Sequence, residues 1–382
     1  MPHVQGRLPD ADFERIYDRR IRPDVLDGIE KSKTPTAVLV GGQPGAGKSY
    51  ALARIRANLA TTVGASAVIS GDELREYHPY WRAHALTDPL AANATRPDVS
   101  QWCTRLVIDA MARKLNLVLE ASLRDPEATA TLARRLKRED YQVATVALAT
   151  DRDQSRQVTV ARYDIARTAG ATPRFVSAPD HDNAYDELRE SLSRLEKELA
   201  VDRLQLVARD GRQLYANEVA GAQWVSEPRA VYVLDDFRER RLTARELADS
   251  ALRWHVLAQR LSADPAVPSE VTDQAAAWCD EALAKAESDP DAKQLLAWGR
   301  EAEAFRTMNR VAFLAEHPQH ARIVERLQEA IAYAEKQFEQ AGDRERFIEQ
   351  ARSRLAERIA EGRAIAPERG KSKSAEQGSR TR

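Results

Sequence analysis

A chain of 382 residues is too long for one average core, and its 58 lysines and arginines against 59 aspartates and glutamates leave a net charge of -1, which excludes a global basic field for nucleic acid or an anionic membrane. No apolar run approaches the roughly 20 residues that span a bilayer, and the amino-terminal MPHVQGRLPDADFERIYDRR lacks a signal peptide's apolar stretch, so the expected location is the cytoplasm with no membrane partner. Only two cysteines, Cys103 and Cys279, stand far apart and outside any CxxC pair, and the 7 histidines show no HxxxH spacing; neither a disulfide framework nor a zinc site is expected.

Along the first two-thirds, short β-rich runs at Ala37–Gly41, Ala67–Ser70, Leu115–Glu120, Gln142–Ala149 and Leu204–Ala208 alternate with amphipathic helical stretches. That alternation predicts an α/β fold with a parallel sheet flanked by helices. Leu52, Ile55 and Leu59 share one helical face, as do Val99, Cys103, Leu106 and Ala110, and later Leu188, Leu192, Leu195 and Leu199; these stripes are read as core. From about Thr243 strand-like runs vanish and the sequence reads as all helix, opening with Thr243 and Glu246 at capping-box spacing just after the charged stretch Asp235–Arg241. Near the end, Ala341–Asp343 is expected to separate two helices. The expected division is a P-loop kinase domain over 1–235, a helical region of unknown role over 243–362, and a disordered tail over 363–382.

Residues Gly42, Gln43, Pro44, Gly45, Ala46, Gly47, Lys48 and Ser49 read GQPGAGKS, matching GxxxxGK[ST] between a predicted strand and a predicted helix. The glycines let consecutive N–H groups turn inward at a helix start, a nest that suits a polyphosphate. Lys48 would reach the β- and γ-phosphates of ATP and the Ser49 hydroxyl would hold Mg²⁺. With no NKxD-type guanine signature and no long apolar Walker B strand ending in Asp-Glu, the chemistry has to be sought where charged residues follow the strands, at the carboxyl edge of the sheet. That pattern favours a kinase.

There the strand AVIS runs into Gly71-Asp72-Glu73-Leu74-Arg75, and Asp72 is placed either to take a proton from an attacking hydroxyl or to cap the next helix. The following strand ends at Glu120, Ser122 and Arg124; Glu120 would hold a metal-bound water or a substrate hydroxyl, or else pair with an arginine. After the fourth strand, Arg152, Arg156, Arg162, Arg167 and Arg174 crowd a segment that bends between Arg167 and Arg174. Phosphoryl transfer needs such positive charge around the transferring group, although an arginine-rich helix is also simply a solvated face.

Taken together, GGQPGAGKS at Gly41–Ser49, GDELREYHP at Gly71–Pro79, LEASLRDP at Leu119–Pro126, ARYD at Ala161–Asp164, RFVS at Arg174–Ser177 with HD at His181–Asp182, and RDGRQLY at Arg209–Tyr215 resemble the zeta toxin family of P-loop kinases, over roughly Asp12 to Asn217. The resemblance implies ATP- and Mg²⁺-dependent phosphorylation of a sugar hydroxyl of UDP-N-acetylglucosamine, which blocks the use of that cell-wall precursor, and it implies an antitoxin protein as partner. It further implies Asp72 as base, Arg162 and Arg174 on the γ-phosphate, Lys48 and Ser49 on the phosphates and Mg²⁺, and Glu120, Ser122 and Arg124 lining the sugar-nucleotide pocket. Where the family commonly has Glu-Gly-Thr, this chain has Glu120-Ala121-Ser122, which adds one methyl group and removes another at the substrate wall. Two alternatives stand beside this reading: a nucleotide or polynucleotide kinase, disfavoured by the neutral charge and few aromatics, and a non-enzymatic regulator in which ATP switches a helical interaction domain.

Overall fold

Strand β1 (Thr36–Gly41, TAVLVG) is apolar at nearly every position because it lies at the centre of a sheet covered on both faces. The computed structural model describes residues 6–85, 88, 91–120 and 123–363, and in them seven strands form one sheet in the order β2-β3-β1-β4-β5-β6-β7. β2 (Ser66–Ile69), β3 (Asn116–Glu120), β1, β4 (Gln142–Ala149) and β5 (Arg203–Ala208) run parallel; in register Val38 lies opposite Val118 on one side and Ala144 on the other. This is the P-loop kinase type of α/β fold. Ser122 and the expected tail from residue 364 onward lie outside the described residues.

The period-2 alternation of the strands builds two cores. Ala37, Leu39, Leu117, Leu119, Val143 and Ala147 face one layer, where they meet the stripes Val99–Leu106–Ala110 and Leu188–Leu192–Leu195. Val38, Val40, Val118 and Val146 face the other and meet Leu52 and Leu59 of the helix Lys48–Thr62. β1 has β3 on one side and β4 on the other, so the chain leaves its carboxyl end at a point where successive connections diverge, the usual place for a ligand in an open α/β sheet.

Two strands escape the sequence pattern. β6 (Gln213–Ala220) pairs antiparallel with β5 and β7 (Gln223–Trp224) with β6. β6 is exposed at half of its positions and its one buried residue is the polar Asn217, so it carries no clear apolar alternation; the signal was the Asp210-Gly211 turn, with Gly211 at φ 88° closing the hairpin.

The residues gather into two compact units. One comprises the chain up to Arg241 together with Arg253–Ala282; the other comprises Leu242–Leu252 and the chain from Leu283. The change of composition near Thr243 therefore does not coincide with the division, since a helical pair beyond it groups with the sheet. In the second unit, Thr243 and Glu246 form the expected capping box, the Thr243 N–H donating to Glu246 Oε2 at 2.9 Å and the Glu246 N–H to Thr243 Oγ1 at 3.2 Å. Its core joins Ala302, Phe305, Phe313, Ile323, Val324, Leu327, Ala356 and Ile359. The break between its last helices falls at Phe338–Gln340, and Ala341–Asp343 is instead the first turn of the helix Ala341–Ala360, where the negative charge of Asp343 suits the positive end of the helix dipole.

Candidate active site

The loop after β1 folds as its glycines demand. Gly42, Gly45 and Gly47 sit at φ 149°, 80° and 101°, in the region that side-chain-bearing residues avoid. A Cβ at Gly45 would also collide with the Ser155 carbonyl, so the loop is packed against the first turn of the helix Arg152–Thr168. Gln43, fully buried, ties the two together: its amide donates to the Thr150 carbonyl at 3.0 Å and to Ser155 Oγ at 3.2 Å, while Thr150 Oγ1 donates to the Ala46 carbonyl at 3.1 Å. The helix Lys48–Thr62 starts directly after Gly47 with no side-chain cap on its first N–H groups, which leaves them to an anion.

Lys48 spans the loop, Nζ donating to the carbonyls of Gly42 at 3.0 Å and Gln43 at 3.2 Å, with the Glu120 carboxylate 3.8 Å away. Burial holds its pKa below the ordinary lysine value, while Glu120 and Asp72 pull it back up. Ser49 is exposed on the first turn. Among the described residues no three histidine, cysteine or acidic side chains gather as a metal cage. The exposed Ser49 hydroxyl is the kind of single protein oxygen through which a Mg²⁺ ion, held mainly by waters and substrate phosphates, could be bound.

Asp72 is the second residue of the short helix Gly71–Arg75, whose N-cap position is Ser70. Its carboxylate accepts instead from Arg75 Nη1 at 3.0 Å and from Arg174, which ties the edge beyond β2 to the loop carrying Arg174. Burial alone would raise the Asp72 pKa, but Arg174, Arg75 and Lys48 outweigh it and hold the carboxyl below its ordinary value. The side chain is nevertheless 37% exposed, so a hydroxyl can reach an ionised oxygen there. Beside it Ser70 Oγ donates to Glu120, whose partners are thus Ser70 and Lys48 and not the arginines.

Of the five arginines that crowd the segment after β4, the structure turns three to other work. Arg152 pairs with Asp186 at 2.5 Å, Arg156 with Asp182 and Glu281, and Arg167 with Asp264 at 2.8 Å and Asp164 at 3.4 Å. Arg174 pairs with Asp72, and Arg162, exposed, is near enough for its charge to lower the pKa of the already desolvated Lys48 and Arg209. Arg124 stands apart from Glu120: it is exposed, 4.0 Å from Asp180, which also holds Arg96 at 3.0 Å.

Two residues of this constellation were not singled out by the sequence. Arg75 is buried and holds Asp72; the signal was the three-residue spacing that puts both on one helical face. Arg209, from the turn after β5, donates to the Gly45 carbonyl and lies against Gly47; it was visible only as part of a motif, with no periodicity to give it a place.

A family model described as Zeta toxin matches residues 23–220. Toxin PezT of Streptococcus pneumoniae serotype 4 is 28% identical over 212 residues, covering 54% of this chain and 81% of that protein. Toxin zeta of Enterococcus hirae is 27% identical over 215 residues, covering 54% and 72%. A solved structure from work on the PezAT chromosomal toxin–antitoxin system of Streptococcus pneumoniae has the same fold, with a TM-score of 0.53 at 24% identity over 66% of this chain and 98% of that one. The family match ends with the last residue of β6.

Proposed function

The chain belongs to the zeta toxin family, and from that premise we propose that it transfers the γ-phosphate of ATP to a sugar hydroxyl of UDP-N-acetylglucosamine or a related UDP-sugar. The observation that carries this reading is the meeting of Asp72, Arg174 and Lys48 at the carboxyl edge of the sheet. A nucleotide-operated switch needs a phosphate loop but no ionised carboxylate beside a γ-phosphate cation. A kinase for an alcohol needs both.

In this mechanism the loop Gly42–Ser49 binds the phosphates through its inward N–H groups and the start of the helix Lys48–Thr62. Lys48, whose Nζ now donates to the carbonyls of Gly42 and Gln43, would exchange them for β- and γ-phosphate oxygens. Ser49 would hold Mg²⁺, which when bound would supply neutralisation of phosphate charge. Asp72 accepts the proton of the attacking sugar hydroxyl while Arg174 and Arg162 balance charge on the transferring phosphoryl group. Glu120, fixed by Ser70, orients the acceptor, and Arg124 with the Ser122 region receives the nucleotide part. The partner is an antitoxin, as the PezAT toxin–antitoxin system suggests, and the reaction belongs in the cytoplasm where such precursors are made. No helix among the described residues is long and apolar enough to cross a membrane.

The test is ADP release with ATP and Mg²⁺, alone and with a panel of UDP-sugars, nucleosides and oligonucleotide ends, followed by mass analysis of the acceptor. A phosphate adduct on UDP-N-acetylglucosamine is expected. Adducts only on a nucleoside or a nucleic-acid end would assign a nucleotide or polynucleotide kinase instead.

A further inference from the structure

Arg174 lies in a stretch, 172–177, that has neither helix nor strand, between the helices Arg152–Thr168 and Ala178–Lys197. An arginine on such a loop is not held by its own secondary structure, and a misplacement of about 1 Å can cost on the order of 10²-fold in rate. What fixes this loop comes from the helix Ser269–Glu287. The Ala178 N–H donates to Gln274 Oε1 at 2.7 Å, and Gln274 Nε2 donates to the Val176 carbonyl at 2.9 Å. One side-chain amide thereby satisfies two peptide groups of the segment just after Arg174, in the manner of a strand partner.

The stretch Arg253–Glu281, which comprises most of the helix Ala244–Ser262 and of the helix bearing Gln274, also braces the helix that carries Arg162. Trp254 Nε1 donates to Asp153 at 2.9 Å, Arg253 to Gln157 at 2.8 Å, and Arg260 pairs with the buried Asp164. Arg156 donates to Glu281 at 2.8 Å and lies over the Trp278 ring, 4.9 Å from its centre. Positions 153, 156, 157 and 164 fall on one helical face, and each has a partner between Arg253 and Glu281. All of these partners lie beyond residue 220, where the family match ends.

We propose that Gln274 is a positioning residue for phosphoryl transfer: its amide clamps the Arg174 loop, and the helical pair around it is an integral part of the catalytic unit. The inference rests on the reading that Arg174 serves the γ-phosphate.

The experiment uses the full chain and the variants Gln274→Ala, Arg174→Ala and the pair. Gln274→Ala is expected to lower kcat about 10- to 100-fold with ATP affinity unchanged, because ATP is held by the phosphate loop. In the Arg174→Ala background the same change should have little further effect, since the clamp acts through Arg174. Hydrogen exchange of the Ala178 amide should speed up at least about tenfold in Gln274→Ala while the strands stay protected. Unchanged turnover, fully additive losses, or unchanged exchange at Ala178 would each overturn the proposal. Failure of the kinase reading shows differently: the wild-type chain then phosphorylates no UDP-sugar, while exchange at Ala178 still reports whether the clamp exists.

Discussion

The phosphate loop and the arginine arm meet the same phosphoryl group in the proposed reaction, yet they are built in opposite ways. The loop is eight consecutive residues whose shape follows from three glycines at positive φ and a helix start; even its lysine is held by carbonyls five and six residues away. The arm consists of two arginines twelve positions apart, and its geometry is set by side chains about a hundred residues downstream, such as Gln274 on the peptides at 176 and 178. The difference teaches where a motif can be trusted: a site made by the backbone travels with its sequence, whereas one made by side chains on a loop depends on whatever packs behind it.

The largest effect that would sharpen this contrast is that of Lys48→Ala. Losing a cation that stabilises a transferring phosphoryl group should cost on the order of 10³–10⁵-fold in turnover, and ATP affinity measured by calorimetry should fall with it. Arg174→Ala should cost about 10²- to 10³-fold in kcat while leaving ATP affinity nearly intact. Equal losses of ATP binding in the two variants would erase the distinction between loop and arm.

A subtler signature lies in the pH profile. Asp72 is held below its ordinary value because Arg174, Arg75 and Lys48 outweigh the cost of burying it. The base therefore stays ionised as pH falls through the usual carboxylate range, and the acid limb of kcat/KM should lie below that range. Removing Arg174 takes away the largest of the cations that lower it, so the carboxyl titrates at higher pH and the limb in Arg174→Ala moves upward. An unmoved limb would mean that the pair does not control the base. The smallest effect belongs to the helical unit. Thr243→Ala removes a capping box and should cost about 1 kcal/mol, read as a lower melting temperature of that unit, with turnover unchanged.

Strands β1 to β4 were legible because they are apolar runs largely covered on both faces, β5 because Leu204 and Leu206 alternate into the core, and β1 with its GQPGAGKS announced the phosphate site outright. Asp72 and Glu120 were legible as residues that follow strands, which an α/β sheet places on one edge. Spacing alone gave no choice among the five arginines, and only the family resemblance singled out Arg162 and Arg174. Arg156 and Arg167 look like Arg162 in the sequence, and only their partners Glu281 and Asp264 remove them from the site. Those partners lie past the point where composition changes, Glu281 in a helix that periodicity identifies but cannot dock and Asp264 in the connection before it. β6 stayed hidden because its one buried position is the polar Asn217, with Leu214, Tyr215 and Val219 only half-buried, so no apolar run marks it.

The account turns on Asp72 as the group that takes the acceptor's proton, and Asp72→Asn tests it most directly. The amide keeps the size of the carboxyl and can still accept from Arg75, but it cannot take up a proton at neutral pH. With UDP-N-acetylglucosamine as acceptor and phosphate transfer followed by mass analysis, the account predicts a loss of about 10²- to 10⁴-fold in kcat with ATP binding retained. Phosphorylation of the UDP-sugar at the wild-type rate by the Asp72→Asn chain would contradict it.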